Sequence, residues 1–127
     1  MNFNKKTAKA VKVETVAPRP RPIRIANEAD QDDLIAGGNL TAAETSKAYS
    51  FFAFHGRQLP VGRDFGTFLK GELGDIHYEK VGNRASIRIG GEKRIEFTQT
   101  EQPSVVQGDP DNIVLHVLNV GSPTYGH

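Results

Sequence analysis

Six of the ten aromatic residues lie between Tyr49 and Phe68, interleaved with Lys47, His55, Arg57, Arg63 and Lys70. Rings beside cations are the chemistry that holds single-stranded nucleic acid, because rings stack on bases while cations meet phosphates. Phe51, Phe52, Phe65 and Phe68 read as core. Tyr49 and Phe54 are the stacking candidates, and Arg57 and Arg63 the phosphate candidates. Arg84, Arg88 and Arg94 join them from one face of a sheet, and Arg19, Arg21 and Arg24 from a basic segment near the N-terminus. These ten residues make up the expected nucleic-acid-binding set.

Other chemistries find little support. There is no phosphate-cradling glycine loop and no dinucleotide fingerprint. The chain has no cysteine, so disulfides and thiolate metal sites are excluded. His55, His77, His116 and His127 lack ligand-like spacing. His116 falls in an apolar run and reads as a hydrogen-bonded core histidine, while His55 sits near a helix end, which it favours electrostatically when protonated. Asp109-Pro110-Asp111-Asn112 clusters oxygen side chains but lacks the ligand number of a calcium loop, so it reads as a proline turn. No nucleophile elbow is present. The expectation is a binding protein without catalytic residues, cofactor or metal.

The elements that position these residues follow from local signals. Thr41 and Glu44 have capping-box spacing and open a helix whose apolar face is Ala48, Phe51, Phe52 and His55, with Gly56 placed to end it. Phe65, Phe68, Leu69 and Leu73 recur at helical spacing, ahead of a terminating Gly74. Gly66 and Gly71 weaken that helix by about 1 kcal/mol each relative to alanine. Asn27 to Gly38 has room for a short helix at most. Gly82-Asn83 is a two-residue hairpin signal, which sets Val81 opposite Arg84, Tyr78 opposite Ile87 and Ile76 opposite Ile89. A three-residue loop, Gly90 to Glu92, sets Ile87 opposite Ile95 and Ala85 opposite Phe97, keeping apolar residues on one face. His77, Glu79, Arg84, Ser86, Arg88, Arg94 and Glu96 then share the other face. Ile113 to Val120 is apolar enough for a strand covered on both faces, with Val105-Val106 as a short addition.

Charge is distributed in blocks. Residues 1–27 hold seven Lys/Arg and one carboxylate, a balance of +6, and residues 28–44 hold five carboxylates and no Lys/Arg. Residues 45–100 hold nine against six, +3, and residues 101–127 three carboxylates and no Lys/Arg. Pro18-Arg19-Pro20-Arg21-Pro22 favours extended polyproline II. The expected organisation is an extended basic arm over 1–27, one domain over 28–120 and a tail over 121–127.

The expected fold is α+β, with two helices packed on a four-stranded, mainly antiparallel sheet. Over residues 41–98 the order helix, turn, helix, basic hairpin resembles a winged helix-turn-helix, which implies a recognition helix and a backbone-touching wing. The 56–62 connection is longer than that pattern's turn, and the second helix holds two glycines. No apolar run reaches the roughly 20 residues that span a bilayer, and no signal-peptide pattern opens the chain. The expectation is therefore a cytoplasmic protein of a phage or mobile element that binds nucleic acid, with a lean to single-stranded DNA, in transcription or replication, with homo-oligomerisation open. The rivals are an assembly protein whose arm packs on a protein partner and an inhibitor of a host enzyme.

Overall fold

The computed structural model describes residues 18–74 and 76–124. In chain order they form β1 (Arg21–Ile25), a 3-10 turn (Glu28–Asp30), α1 (Gln31–Ala36), α2 (Ala42–Phe52), β2 (Gln58–Leu59), α3 (Phe65–Leu73), β3 (Tyr78–Val81), β4 (Arg84–Gly90), β5 (Lys93–Gln102) and β6 (Asn112–Gly121). The six strands make one mixed sheet in the order β2-β1-β6-β5-β4-β3, curled into a half-barrel. Among the described residues only the β1–β6 pairing is parallel.

Two helices on a four-stranded sheet is therefore incorrect: the described chain has three helices and six strands. The shortfall lies before residue 60: β1 falls in the expected arm, β2 in the 56–62 connection, and α1 in the segment with room for a short helix at most. Ile23-Arg24-Ile25 alternates as a strand must, and both isoleucines are fully buried. Pro18 and Pro20 lie before the strand, and Pro22 sits out of phase with the bond that Ile23 N–H makes to Arg57 O (2.8 Å). Residues 21–25, expected within the arm, thus belong to the sheet, and residues 1–17 lie outside the described chain. Asn27 extends the pairing with its side chain. Its Nδ2 donates to Val117 O (2.8 Å) and its Oδ1 accepts from Val117 N–H (2.9 Å), imitating one more residue of strand.

Local expectations fared better. The Thr41–Glu44 capping box forms in full, and Gly74 closes α3 in the left-handed conformation at φ +87°. Helix α2 stops at Phe52, four residues short of Gly56. The meander keeps its register: Val81 faces Arg84, Tyr78 faces Ile87, Ala85 faces Phe97 and Ile87 faces Ile95. It does so with a Gly91-Glu92 turn and a one-residue offset between Arg88 and Gly90, rather than a three-residue loop. Ile76 precedes β3 and stays out of the ladder. Val105 and Val106 form no strand and are exposed.

One core joins the helices to a single face of the sheet. Ala48, Phe51, Phe52, Phe54, Phe65, Phe68 and Leu69 pack with Ile23, Ile25, Ile87, Ile95, Phe97, Ile113, Leu115 and Val117. Phe51 meets Phe97 with ring centroids 4.9 Å apart. The winged-helix order fails at this level, since the hairpin that would be a peripheral wing continues through β5 into β6 at the sheet's centre.

Candidate nucleic-acid interface

The pleat sends alternate side chains to opposite faces, so burying Ala85, Ile87 and Ile89 places Arg84, Ser86 and Arg88 on the face away from the helices. Strand β5 adds Arg94, Glu96, Thr98 and Thr100 to that open face, β6 adds Val114 and His116, and β1 adds Arg24. Cross-strand pairing arranges them in rows: Arg88 beside Arg94, then Glu79, Ser86, Glu96 and Asn119, then Arg84, Thr98 and His116, then Thr100, Val114 and Arg24. Consecutive rows are two residues apart along the strands, about 7 Å.

Strand β6 is covered on one face only. His116, expected in the core, is exposed on the open face, and Leu118 is 42% exposed. The period-two pattern of Thr98-Gln99-Thr100 and of Val114, His116 and Leu118 carried this signal, but the apolar content of the run masked it.

The two strand carboxylates on this face are muted in different ways, and a third, Glu92, lies exposed in the β4–β5 turn beside Arg88 and Arg94. Glu96 is 1% exposed, and its Oε1 accepts from Asn119 Nδ2 (3.1 Å), Thr124 Oγ1 (3.0 Å) and Thr124 N–H (3.3 Å). The segment after β6 thereby folds over it. Glu79 pairs with His77 (2.8 Å) and stands 3.7 Å from Arg94. The His77 hydrogen bond, with smaller help from the charges of His77, Arg94 and Arg88, holds the Glu79 carboxyl below its ordinary range, against a modest effect of burial.

Arg88 and Arg94 face each other directly across β4 and β5. They line an open cavity of about 250 Å³ with Gly91, Glu92 and Pro123. Arg94 Nη1 donates to Ser86 Oγ at 3.4 Å, and Arg88 is exposed to solvent.

The remaining expected site residues do not join this face. Arg19 pairs with Asp109, and Arg21 pairs with Glu101 (2.8 Å) and donates to Asp111 O (3.3 Å), so both cations are engaged by the end of β5 and the β5–β6 connection. Phe54 is 1% exposed and packs edge-on against Phe51, Phe65 and Phe68, which rules it out as a stacking platform. Arg57 covers that cluster, 5.0 Å from the Phe54 ring and 5.3 Å from Phe68, and pairs with Glu72 at 2.7 Å. Tyr49 is 40% exposed and donates to Asp32 Oδ1 (2.8 Å), a bond that raises its phenol pKa. Arg63 is exposed in the loop before α3. Arg57 lies over the helix-side aromatic cluster and Arg63 in the loop before α3, so the structure does not bring these two together with Arg84 and Arg88.

His55 ties the segment after α2 to β1: its Nδ1 accepts from the Ile25 N–H at 2.9 Å. Among the described residues, no three of His, Asp and Glu gather as a metal-binding set, and no helix is long and apolar enough to cross a membrane. Comparison with protein families, with curated proteins and with solved structures finds no match to this chain.

Proposed function

We propose that the open face of the sheet binds nucleic acid as an extended single strand, held mainly through its phosphates. The observation that carries this reading is Arg88 directly opposite Arg94 at the mouth of the 250 Å³ cavity. Like charges facing each other across a sheet destabilise it, and Glu79 forms an ion pair with Arg94 while its charge acts on Arg88 only from further away. A phosphate seated between the guanidinium groups turns that repulsion into two charge-assisted hydrogen bonds. From this seat the strand runs diagonally past Arg84 to Arg24, with Thr98 and Thr100 as hydroxyl donors and His116 as the ring against a base. The function that follows is that of a small accessory protein of replication or transcription. The rival assembly reading draws less support, since Arg19 and Arg21 already have partners within the chain.

The test is fluorescence anisotropy with a labelled oligothymidylate over about 50–300 mM salt, where surface charges pass from weakly to strongly screened. Each phosphate contact contributes a log–log slope of about −0.7 for single strands. Arg88→Ala should lower the magnitude of the slope by about that amount, while Arg63→Ala leaves it unchanged. Absence of binding at the lowest salt, or equal effects of the two substitutions, refutes the proposal.

A further inference from the structure

Strand β3 is the outer strand of the sheet, and its hydrogen-bond phase can be worked out. The two-residue turn makes Val81 and Arg84 a hydrogen-bonded pair. Alternation along the antiparallel ladder then makes Glu79 and Ser86 the next such pair. Arg88 N–H on His77 O (3.0 Å) continues the pattern. The main-chain groups of Val81 and Glu79 therefore turn inward to β4. Those of Tyr78 and Lys80 turn outward, where no strand among the described residues meets them.

This edge also has a defined surface. Val81 is 82% exposed, an unusual position for an apolar side chain on a free edge. A cavity of about 280 Å³ adjoins it, lined by Glu79, Lys80, Val81, Arg84, Ala85 and Ser86. Glu79 is already met by His77 and Arg94, whereas Lys80 donates only to the Gly82 carbonyl (2.6 Å) and has no ion-pair partner among the described residues.

A second copy paired β3 to β3 is a poor occupant of this edge. Only outward groups can pair, so the register using Tyr78 and Lys80 of both copies sets Glu79 opposite Glu79. Sliding by two residues one way sets Lys80 opposite Lys80. Sliding the other way engages only Tyr78. The alternative of Glu79 against Lys80 has matching charges but is out of phase, because the Glu79 N–H belongs to β4. Opposed like charges disfavour the two fuller registers.

We propose that β3 is a docking edge for an extended segment of a different protein, added antiparallel as a seventh strand. The segment has an apolar residue opposite Val81, followed by an acidic residue opposite Lys80. Strand addition of this kind draws affinity from main-chain bonds and specificity from alternate side chains. The inference rests on the backbone phase of β3 and is independent of the arginine face.

The full chain is titrated with the capped peptide Thr-Val-Glu-Lys-Val-Thr while amide exchange is followed by NMR. Exchange should slow about tenfold or more at Tyr78 and Lys80, with Glu79 and Val81 unchanged because their amides are already bonded. Replacing the peptide glutamate by lysine should weaken binding roughly fivefold, by turning one cross-strand attraction into repulsion. N-methylation of that glutamate should abolish binding, and Arg88→Ala should leave it intact. Absence of protection, equal protection at all four amides, undiminished binding of the N-methylated peptide, or loss of binding in Arg88→Ala each overturns the proposal. So does concentration-dependent dimerisation of the chain that Lys80→Glu abolishes.

Discussion

Helix α3 contains two glycines that a propensity scale treats alike and the structure does not. At Gly71 an added Cβ would meet nothing within 4 Å, so Gly71→Ala should stabilise the protein by up to about 1 kcal/mol. At Gly66 the same atom would lie 2.6 Å from Cε2 and 2.9 Å from Cδ2 of Tyr78. That ring cannot simply swing aside, because it is half-buried and its hydroxyl donates to Gln99 Oε1 at 2.8 Å. Overpacking of this kind costs about 1–3 kcal/mol, against a propensity gain of at most about 1 kcal/mol. Gly66→Ala should therefore be destabilising by about 1 kcal/mol, opposite in sign to Gly71→Ala further along the same helix. Urea denaturation of both variants reads the difference as midpoints moving in opposite directions at a common slope. Tyr78→Phe releases the ring from Gln99 and should make the Gly66→Ala penalty smaller than additivity requires. Stabilisation of similar size at both glycines would refute the close approach of α3 to β3.

Three further outcomes follow from the sheet. Ile23→Ala should cost about 2–5 kcal/mol as a large-to-small change at a fully buried site, and deletion of residues 1–26 should abolish cooperative thermal unfolding followed by circular dichroism, whereas a free arm would be dispensable. Asn27→Ala should cost about 1–3 kcal/mol in chemical denaturation, since it leaves the Val117 N–H and C=O unmatched at a partly buried position. Glu79 has a folded-state pKa below its ordinary 4.5, so its contribution to stability is present above that value and is lost as pH falls through the lowered one. In an NMR titration of the side-chain carboxyl, His77→Ala should return its midpoint upward; an unchanged midpoint would exclude His77 as the main cause.

What was legible in the chain was decided within a few residues. The capping box needs only Thr41 and Glu44, the hairpin only Gly82-Asn83, and the Ile87–Ile95 register only the alternation on either side of the turn. The arginine face followed from that register, which is why Arg84, Arg88 and Arg94 were placed correctly relative to one another. Phe54 was misplaced because helical spacing places it off the Ala48–Phe51–Phe52 face. It lies instead beyond the end of α2, where the tight turns Phe54 N–H to Phe51 O and His55 N–H to Phe52 O direct it into the core.

Membership of β1 in the sheet was decided elsewhere. Ile23-Arg24-Ile25 offers only three residues of alternation beside a conspicuous Pro/Arg run, and its partners Ile113, Val114 and Leu115 stand 90 positions away. Such a strand contributes little by itself and becomes favourable only when β6 is present to be covered. The same dependence explains His116 and Leu118. Strand β6 can be mostly apolar yet open on one face, because β1 and β5 satisfy its main chain on both edges while the helices cover the other side. An apolar run states that a strand is central, and only its neighbours state how many of its faces are covered. The one face that stays open is also the one on which arginines from β1, β4 and β5, separated by up to 70 positions in the chain, come to share a surface.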